Sequence, residues 1–214
     1  MAGPRGRLIT IEGLDGAGKT TLAEGLAESL AGMGLRVERL REPGGVVVSE
    51  RIRDLVSDPD LQIAPLTEAM LFAAARAQLC AERLRPLLDD GAWVLLDRFV
   101  DSSLAYQGGG RGLGVEVVAR LNEIAVAGCT PDRTLLLRLD RATGRERLER
   151  RGTSSDRFEL EHDEFFDKVG GAYDALATAD AVRFRVLDAH LPVEQVRVEA
   201  LNALRDLLPV PDAT

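Results

Sequence analysis

The chain has 214 residues, 45% of them hydrophobic and 29% charged, which suits one domain, residues 1–214, with a sizeable core. Its net charge of −8 argues against nucleic acid as a partner, and two cysteines and two histidines are too few for a disulfide framework or a zinc site. No apolar run is long enough to span a membrane, and the first residues lack the apolar core of a signal peptide, so we expect a cytoplasmic enzyme without a membrane partner.

Buried strands alternate with helices along the whole chain. The predicted strands are LITIEG (8–13), LRVERL (35–40), AWVLLDR (92–98), RTLLLRL (133–139) and VRFRVLD (182–188). The predicted helices lie at about 19–33, 49–56, 66–91, 115–128, 141–152 and 164–179, with a last one from about Pro192. Strands that alternate with helices form a parallel sheet covered on both faces, so the predicted class is α/β with a five-stranded parallel sheet.

A glycine-rich turn joins the first strand to the first helix. GLDGAGKTT, from Gly13, fits the pattern G-x-x-x-x-G-K-S/T. Its glycines let backbone N–H groups turn towards phosphate oxygens, and the helix N-terminus adds its positive dipole end. Lys19 would reach the β- and γ-phosphates of ATP, and the Thr20 hydroxyl would ligate Mg²⁺. The expected ATP-binding residues are Gly13, Leu14, Asp15, Gly16, Ala17, Gly18, Lys19, Thr20 and Thr21.

The third strand ends in a carboxylate, Asp97, as in the second signature of nucleotide-binding folds. Asp97 would hold Mg²⁺ through water, or polarise a phosphate contact. Together with the glycine-rich loop it predicts a protein that binds a nucleoside triphosphate. GTPase switches, ATPases and small-molecule kinases share these features, so the function stays open at this point.

Three further stretches could serve a second phosphate-bearing substrate, and each also has an ordinary structural interpretation. Arg98 follows the third strand directly, so its guanidinium would either point into the site or pair with Asp101 at the surface. The turn REPGG (41–45) follows the second strand, at the sheet edge where ligands of α/β folds bind. The arginines of 145–157 form either a solvated helix face or a flap that covers the transferring phosphate.

The helical stretch LFAAARAQL, residues 71–79, places an aromatic ring and a guanidinium on one face. Phe72 and Arg76 are four residues apart, so they project from the same side of the helix. Two interpretations are open: a core Phe beside a solvated Arg, or a site that stacks on a flat group and hydrogen-bonds its edge.

Six stretches, in this order, resemble the thymidylate kinase family: GLDGAGKTT, REPGG, LFAAARAQ, DRFVDSSLAYQGGGRG, DRFE and VLDAHLPVEQV. They cover nearly the whole chain, and six at suitable spacing are far more specific than any one. The departures are Val46, where the family often has Thr, and Phe99, where Tyr or His is frequent. The resemblance implies a P-loop nucleoside-monophosphate kinase fold, a small mobile lid at about 141–160 and a homodimer. The implied reaction is phosphorylation of dTMP to dTDP, with ATP as donor and Mg²⁺ as cofactor.

The resemblance also implies the acceptor site. Phe72 would stack on thymine, Arg76 would donate to thymine O4, and Arg98 would bind the acceptor phosphate. Asp15 would meet the sugar 3′-hydroxyl, and Tyr106 would crowd a ribose 2′-hydroxyl and so favour deoxyribose. The expected substrate-binding residues are Asp15, Glu42, Pro43, Phe72, Arg76, Arg98, Ser102, Ser103, Tyr106 and Gln107.

Some members of the family carry a basic residue inside the phosphate loop, whereas this chain has Gly16 and Ala17 at those positions. It therefore resembles the bacterial members, in which the lid supplies the transition-state arginine. The expected catalytic residues are Lys19, Asp97, Arg98, Arg150, Arg151 and Arg157, and the expected metal ligands are Thr20 and Asp97. The segment DAHLP, from Asp188, lies where the family contacts adenine.

Two other functions remain open. A kinase for another nucleoside monophosphate, or for a deoxynucleoside, would keep the phosphate loop and lid and change the base pocket. The Phe72 and Arg76 pair and the stretch SSLAYQ argue against it. A regulatory ATPase would hydrolyse ATP in response to a partner and would have no phosphoryl acceptor.

Overall fold

A computed structural model describes residues 5–151 and 157–209. Five strands form one parallel sheet in the order β2-β3-β1-β4-β5. They are β1 (Leu8–Glu12), β2 (Val37–Arg41), β3 (Trp93–Asp97), β4 (Arg133–Arg138) and β5 (Phe184–Asp188). Each overlaps its predicted segment, so the predicted five-stranded parallel sheet is confirmed.

Helices connect the strands and cover the sheet. They are α1 (Lys19–Gly32), α2 (Val47–Ser57), α3 (Pro65–Leu79), α4 (Arg85–Asp89), α5 (Val100–Ser103), α6 (Val115–Val126), α7 (Arg141–Arg151), α8 (Asp163–Ala179) and α9 (Val193–Ala203). A short 3₁₀ turn, Arg205–Leu207, follows α9. Within the described ranges, no helix is both long and apolar enough to cross a membrane.

The sheet separates two hydrophobic cores. Alternate side chains of a strand point to opposite faces, so Ile9 and Ile11 of β1 pack on one side with Leu26 of α1. Leu8 of the same strand packs on the other side with Leu79 of α3. Burial on both faces explains why β1 reads as an almost continuous apolar run.

The predicted helix 66–91 is one continuous helical segment with a wider turn in its middle. The segment Cys80–Leu84 between α3 and α4 is π-helical. Pro86 follows inside α4, where it lacks an N–H and its ring crowds the carbonyl four residues earlier. A widened turn before the proline relieves both problems, and Gly91, with φ 78°, marks the predicted end. Cys80 is buried and free here, as is Cys129.

The glycine-rich stretch before α6 is helical, although it lies outside the predicted helices. Leu104–Gly110 continues the short helix α5 as a π-helical segment packed against α8. A Cβ at Gly109 would lie 2.7 Å from the Ala172 Cβ, and one at Gly110 would lie 2.5 Å from the Phe165 ring. These glycines therefore permit close packing of two helical segments, which composition alone does not reveal.

The carboxyl ends of the five parallel strands share one edge of the sheet. The phosphate loop follows β1, the REPGG turn overlaps the end of β2, and Arg98 follows β3. Helix α7 follows β4, and DAHLP overlaps the end of β5. Stretches that are distant in sequence therefore meet at the edge where open α/β sheets bind ligands.

Candidate active site

The phosphate loop is shaped by glycines and closed by its lysine. Gly13, Gly16 and Gly18 have φ values of 138°, 81° and 92°, a region that side-chain-bearing residues rarely adopt. Lys19 Nζ donates to the carbonyls of Gly13 and Leu14, at 3.1 and 3.0 Å. Burial lowers the pKa of Lys19 and the nearby positive charge of an arginine adds to this, while neighbouring carboxylates oppose it. The lysine thus lies over the loop that would hold phosphate.

The two predicted metal ligands lie together at the start of α1 and the end of β3. Thr20 Oγ1 donates to Asp97 Oδ2 at 2.9 Å. A hydroxyl and a carboxylate are hard oxygen ligands, which fit Mg²⁺ when nucleotide phosphates and water complete its shell. Among residues 5–151 and 157–209, no group of three His, Cys, Asp or Glu side chains could hold a metal ion.

Arg98 has a left-handed backbone, with φ 67°, directly after β3. This turn aims its guanidinium back towards the phosphate loop, where Nη2 donates to Asp15 Oδ1 at 2.6 Å and to Tyr106 Oη at 3.2 Å. Burial would raise the pKa of Asp15, but the charges of Arg98 and Lys19 outweigh it and hold that pKa well below its usual value.

The alternative pairing of Arg98 with Asp101 at the surface is wrong. Asp101 is buried, and its carboxylate accepts two hydrogen bonds from Arg183, at 2.5 and 3.1 Å. Arg98 instead lines a cleft beside the phosphate loop.

The cavity that this cleft encloses measures about 100 Å³, and the cleft is open to solvent. All ten predicted substrate-binding residues line it: Asp15, Glu42, Pro43, Phe72, Arg76, Arg98, Ser102, Ser103, Tyr106 and Gln107. Four more were not predicted: Arg53, Val56, Ser57 and Phe158. The motif DRFE contains Phe158, so that motif carried the signal for one of the four.

Aromatic rings form one wall of the cleft. Phe158 meets Phe72 edge to face, with ring centroids 5.8 Å apart, and meets Tyr106 in the same way at 6.2 Å. Phe72 is half-buried in this cluster, so part of its ring faces the cleft. The arrangement offers apolar surface for a flat ligand.

Arg76 is buried, with 1% of its surface exposed, so the interpretation of a solvated arginine is wrong. Its Nε donates to Glu42 at 2.8 Å, Nη1 donates to Ser103 Oγ at 3.0 Å and to Asn122 Oδ1, and Nη2 donates to the Phe99 carbonyl at 2.9 Å. A base in the cleft would share one of these donors. Burial raises the pKa of Glu42 to about 7, against the opposing charge of Arg76.

The predicted lid arginines lie in different places. Arg157 donates to Glu68 at 2.6 Å and to the Val56 carbonyl at 2.9 Å, so its contacts are beside the base cleft. Arg150 is exposed and pairs with Glu146 on its own helix. Arg151 ends α7, and its side chain lies outside the described part of the structure.

A different arginine of α7, Arg147, reaches the phosphate loop. It donates to the Gly16 carbonyl at 3.5 Å and to the Ala189 carbonyl at 3.0 Å. Arg147 belongs to the arginine-rich stretch 145–157 but is not one of the predicted catalytic residues, because helical spacing does not show which face of α7 meets the loop.

Helix α7 lies against the phosphate loop through two glycines. A Cβ on Gly16 would lie 2.3 Å from the Gly144 carbonyl oxygen, and a Cβ on Gly144 would lie 2.8 Å from the Asp15 carbonyl oxygen. Neither distance leaves room for a side chain, so both glycines are required by this contact.

A second cleft lies between the phosphate loop and the DAHLP segment, where the family contacts adenine. Its lining includes Gly18, Arg147 and His190. His190 Nδ1 lies 2.8 Å from Asp188, and its Nε2 lies 2.7 Å from Asp140, the residue that precedes α7. Hydrogen bonds to Asp140 and Asp188 raise the pKa of His190. The imidazole therefore joins the DAHLP segment to the start of α7.

Comparisons with known proteins agree with this geometry. Residues 11–200 match a family model described as thymidylate kinase. The chain is 46% identical over 208 residues to thymidylate kinase of Halorhodospira halophila, covering 96% of this chain and 97% of that one. It is 45% identical over 205 residues to thymidylate kinase of Pelotomaculum thermopropionicum, covering 95% of each.

A solved structure supports the same assignment. The crystal structure of thymidylate kinase from Ehrlichia chaffeensis matches with a TM-score of 0.78 and 28% sequence identity, covering 94% of this chain and 100% of that one. The fold is therefore that of a P-loop nucleoside-monophosphate kinase. From its phosphate loop to its last helix, this chain belongs to the thymidylate kinase family.

Proposed function

We propose that this chain transfers the γ-phosphate of ATP to dTMP, giving dTDP and ADP. One observation carries the proposal: the cleft of Arg98 and Phe72 opens directly beside the phosphate loop. Asp15 belongs to both, since its carboxylate lies 2.6 Å from Arg98 and 3.8 Å from Lys19. A phosphate bound by Arg98 would then lie next to one bound by Lys19, which is the arrangement that phosphoryl transfer needs.

The chemistry follows from charge placement. An acceptor phosphate oxygen is already anionic, so no general base is needed. Arg98 would orient that phosphate by donating two hydrogen bonds from its planar fork. Lys19 would leave its loop carbonyls and donate to the transferring group. Mg²⁺, held by Thr20 and Asp97, would supply charge that neutralises the phosphate oxygens of ATP.

The acceptor cleft favours a deoxynucleotide with a flat base. Tyr106 Oη lies 3.4 Å from Asp15 and 3.2 Å from Arg98, and these contacts would hold its ring where a ribose 2′-hydroxyl would clash. Phe72 would stack on the base, and Arg76, fixed by Glu42, would present an N–H to thymine O4.

Turnover on a panel of acceptors tests the proposal. We expect dTMP to be the best acceptor among dTMP, dUMP, dCMP, dGMP and thymidine, because the cleft combines a phosphate site with a base site. A ranking with dTMP as the poorest acceptor would refute it. A coupled ADP-release assay without any acceptor checks the ATPase alternative, which predicts release that does not depend on dTMP.

We also propose that residues 1–214 act as one domain, with a lid at about 141–160 that supplies an arginine to the transferring phosphoryl group. The contact of Arg147 with the phosphate loop adds it to Arg150, Arg151 and Arg157 as a candidate. Single alanine variants of these four, assayed for kcat, test the lid. Arg145→Ala is the matched control, because Arg145 lies on the same helix, is exposed and pairs with Glu149. Unchanged kcat in all four variants would contradict the lid proposal.

We propose that the enzyme is a homodimer formed through α2, α3 and α6. These helices pack side by side and leave apolar side chains exposed: Val47, Val48, Leu55, Leu66, Met70, Val117 and Ile124. Exposed apolar side chains on three neighbouring helices suit contact with a second copy of the chain. Sedimentation should give a dimer that Met70→Glu weakens, whereas Val182→Glu, on the exposed Val182 before β5, should not. A monomeric wild type would refute the proposal.

We propose that the enzyme works in the cytoplasm. The support is that Cys80 and Cys129 are both free, as expected where thiols stay reduced. Fractionation of source cells followed by detection of the chain tests this placement.

A further inference from the structure

Glu12 is the last residue of β1, and it is fully buried at the point where the sheet meets the phosphate loop. The phosphate-loop pattern begins one residue later, at Gly13, and assigns Glu12 no role. A buried carboxylate is unfavourable unless hydrogen bonds compensate it. The groups that donate hydrogen bonds to Glu12 therefore indicate which part of the structure it holds in place.

Three groups donate to the Glu12 carboxylate. Oε1 accepts the backbone N–H of Phe99 at 2.8 Å. Oε2 accepts the hydroxyl of Ser102 at 2.5 Å and that of Tyr173 at 2.9 Å. Burial raises the pKa of Glu12, and the negative charge of Asp101 adds to this, while the hydrogen bonds oppose it. Two of the three donors belong to the segment that carries Arg98.

These hydrogen bonds hold both the backbone and the guanidinium of Arg98. Its backbone is in the left-handed region, which a non-glycine residue adopts only when its surroundings enforce it. The next N–H, that of Phe99, is fixed by Glu12 Oε1. At the far end, Arg98 Nη1 donates to Ser102 Oγ at 3.1 Å, and the same hydroxyl donates to Glu12 Oε2.

We propose that Glu12 is a positioning residue for the acceptor phosphate and that it acts through Arg98. The inference rests on the proposed function, because it assigns Arg98 to the phosphate of dTMP. Glu12 itself does not touch the substrate: it is absent from the cleft lining and lies behind the Arg98 turn. Its carboxylate fixes the backbone that aims the guanidinium and the hydroxyl that orients it.

Both carboxylate oxygens of Glu12 are required, which makes Glu12→Gln an informative variant. An amide has one acceptor oxygen and one donor nitrogen, so it cannot accept both from the Phe99 N–H and from the Ser102 hydroxyl. Glutamine has nearly the same volume, so the variant changes the hydrogen bonds and leaves the packing alone. Misplacement of a substrate-binding group by about 1 Å can cost about 100-fold in rate.

The test compares kinetics with both substrates. In Glu12→Gln we expect kcat/KM for dTMP to fall by about 10- to 100-fold, while KM for ATP stays within about twofold of wild type. The matched control is Asp132→Asn, which removes a carboxylate that accepts the Leu8 N–H at 2.8 Å at the opposite end of the same strand. It should leave kcat/KM for dTMP close to wild type, even though it also loses a hydrogen bond that holds β1.

A double-mutant cycle with Arg98→Ala shows whether Glu12 acts through Arg98. If it does, adding Glu12→Gln to Arg98→Ala changes dTMP kinetics little further. Full additivity, or equal losses for ATP and dTMP in the single variant, would overturn the inference. Should Glu12→Gln not fold, Tyr173→Phe removes one donor to Glu12 from a residue that does not line the cleft, and it is expected to raise KM for dTMP and not that for ATP. An inactive wild type refutes the proposed function, whereas an active wild type with an unaffected Glu12→Gln refutes only the positioning role.

Discussion

The acceptor cleft and the donor side of this enzyme are built in different ways. In the cleft, charged side chains are buried and pair with one another, as Arg76 and Glu42 do at 1% and 5% exposure. On the donor side, the loop Gly13–Thr20 is shaped by its backbone, and His190 beyond it is half exposed. Recognition of the acceptor would thus use side chains that also stabilise the fold, whereas the donor would be held mainly by the backbone of a glycine-rich loop.

The sharpest contrast between the two regions should come from Arg98→Ala. We expect a loss of about 10²–10³ in kcat or more, since one positioned donor to a reacting group is worth that much. ATP binding should be nearly unchanged, because Arg98 meets the phosphate loop only through the Asp15 side chain, whereas the glycine backbone and Lys19 would hold the phosphates. Single-turnover rates and ATP binding by calorimetry check this. A variant that loses ATP and dTMP binding together would show that the two regions are one site.

A second prediction concerns stability. Arg76→Ala opens a cavity and leaves the buried acceptors Glu42, Ser103 and Asn122 without their shared donor, so we expect the free energy of unfolding to fall by about 3–5 kcal/mol. Arg147→Ala on the donor side removes only contacts to two carbonyl oxygens and should change stability by about 0.5 kcal/mol or less. Urea denaturation of both variants measures this. An equal fall in the free energy of unfolding for both variants would show that the cleft arginine and the donor-side arginine contribute equally to stability.

The base platform gives a third, smaller effect. Phe72→Ala should weaken dTMP binding by about 1–3 kcal/mol, the value of base–aromatic stacking, and leave ATP binding unchanged. Phe72→Tyr keeps the ring and serves as the control. Binding isotherms for both nucleotides report the difference, and equal losses for ATP and dTMP would contradict the assignment of this ring to the base.

The smallest effect is on pH dependence, at the donor side. Because the folded pKa of His190 is raised, its charged link to Asp140 and Asp188 is complete below its ordinary pKa of about 6.5 and is lost as pH rises through the raised value. The pKa values of both aspartates are lowered, so they stay ionised throughout, and the remaining nearby charge is that of Arg147.

We therefore expect KM for ATP to rise at most a few-fold across that pH window, since His190 is half exposed and screened. KM for dTMP should not follow it. His190→Gln should remove the pH dependence of KM for ATP. If this variant has the same pH profile as wild type, the histidine is not the source of the pH dependence.

The sequence predicted most of this architecture, and its failures are instructive. Apolar periodicity located the strands, and the glycine pattern located the phosphate loop, because both follow from local chemistry. The burial of Arg76 was not visible, since a helical face does not show that a carboxylate from another loop, Glu42, will meet it. The sequence pattern predicts only the end of a strand at Glu12. Its role as an acceptor is not visible, because its donors lie about ninety or more residues later in the chain.

The contact between Gly16 and Gly144 has an evolutionary consequence. A phosphate loop with its own arginine at position 16 would drive that side chain into the first turn of α7. The positive φ of 81° at Gly16 disfavours such a residue as well. A lineage that starts from this backbone therefore cannot gain an arginine at position 16 of the loop by one substitution. It would first have to withdraw the start of α7 from the loop. An intermediate that had done so would have lost the present contact of α7 with the loop and would not yet have an arginine in the loop.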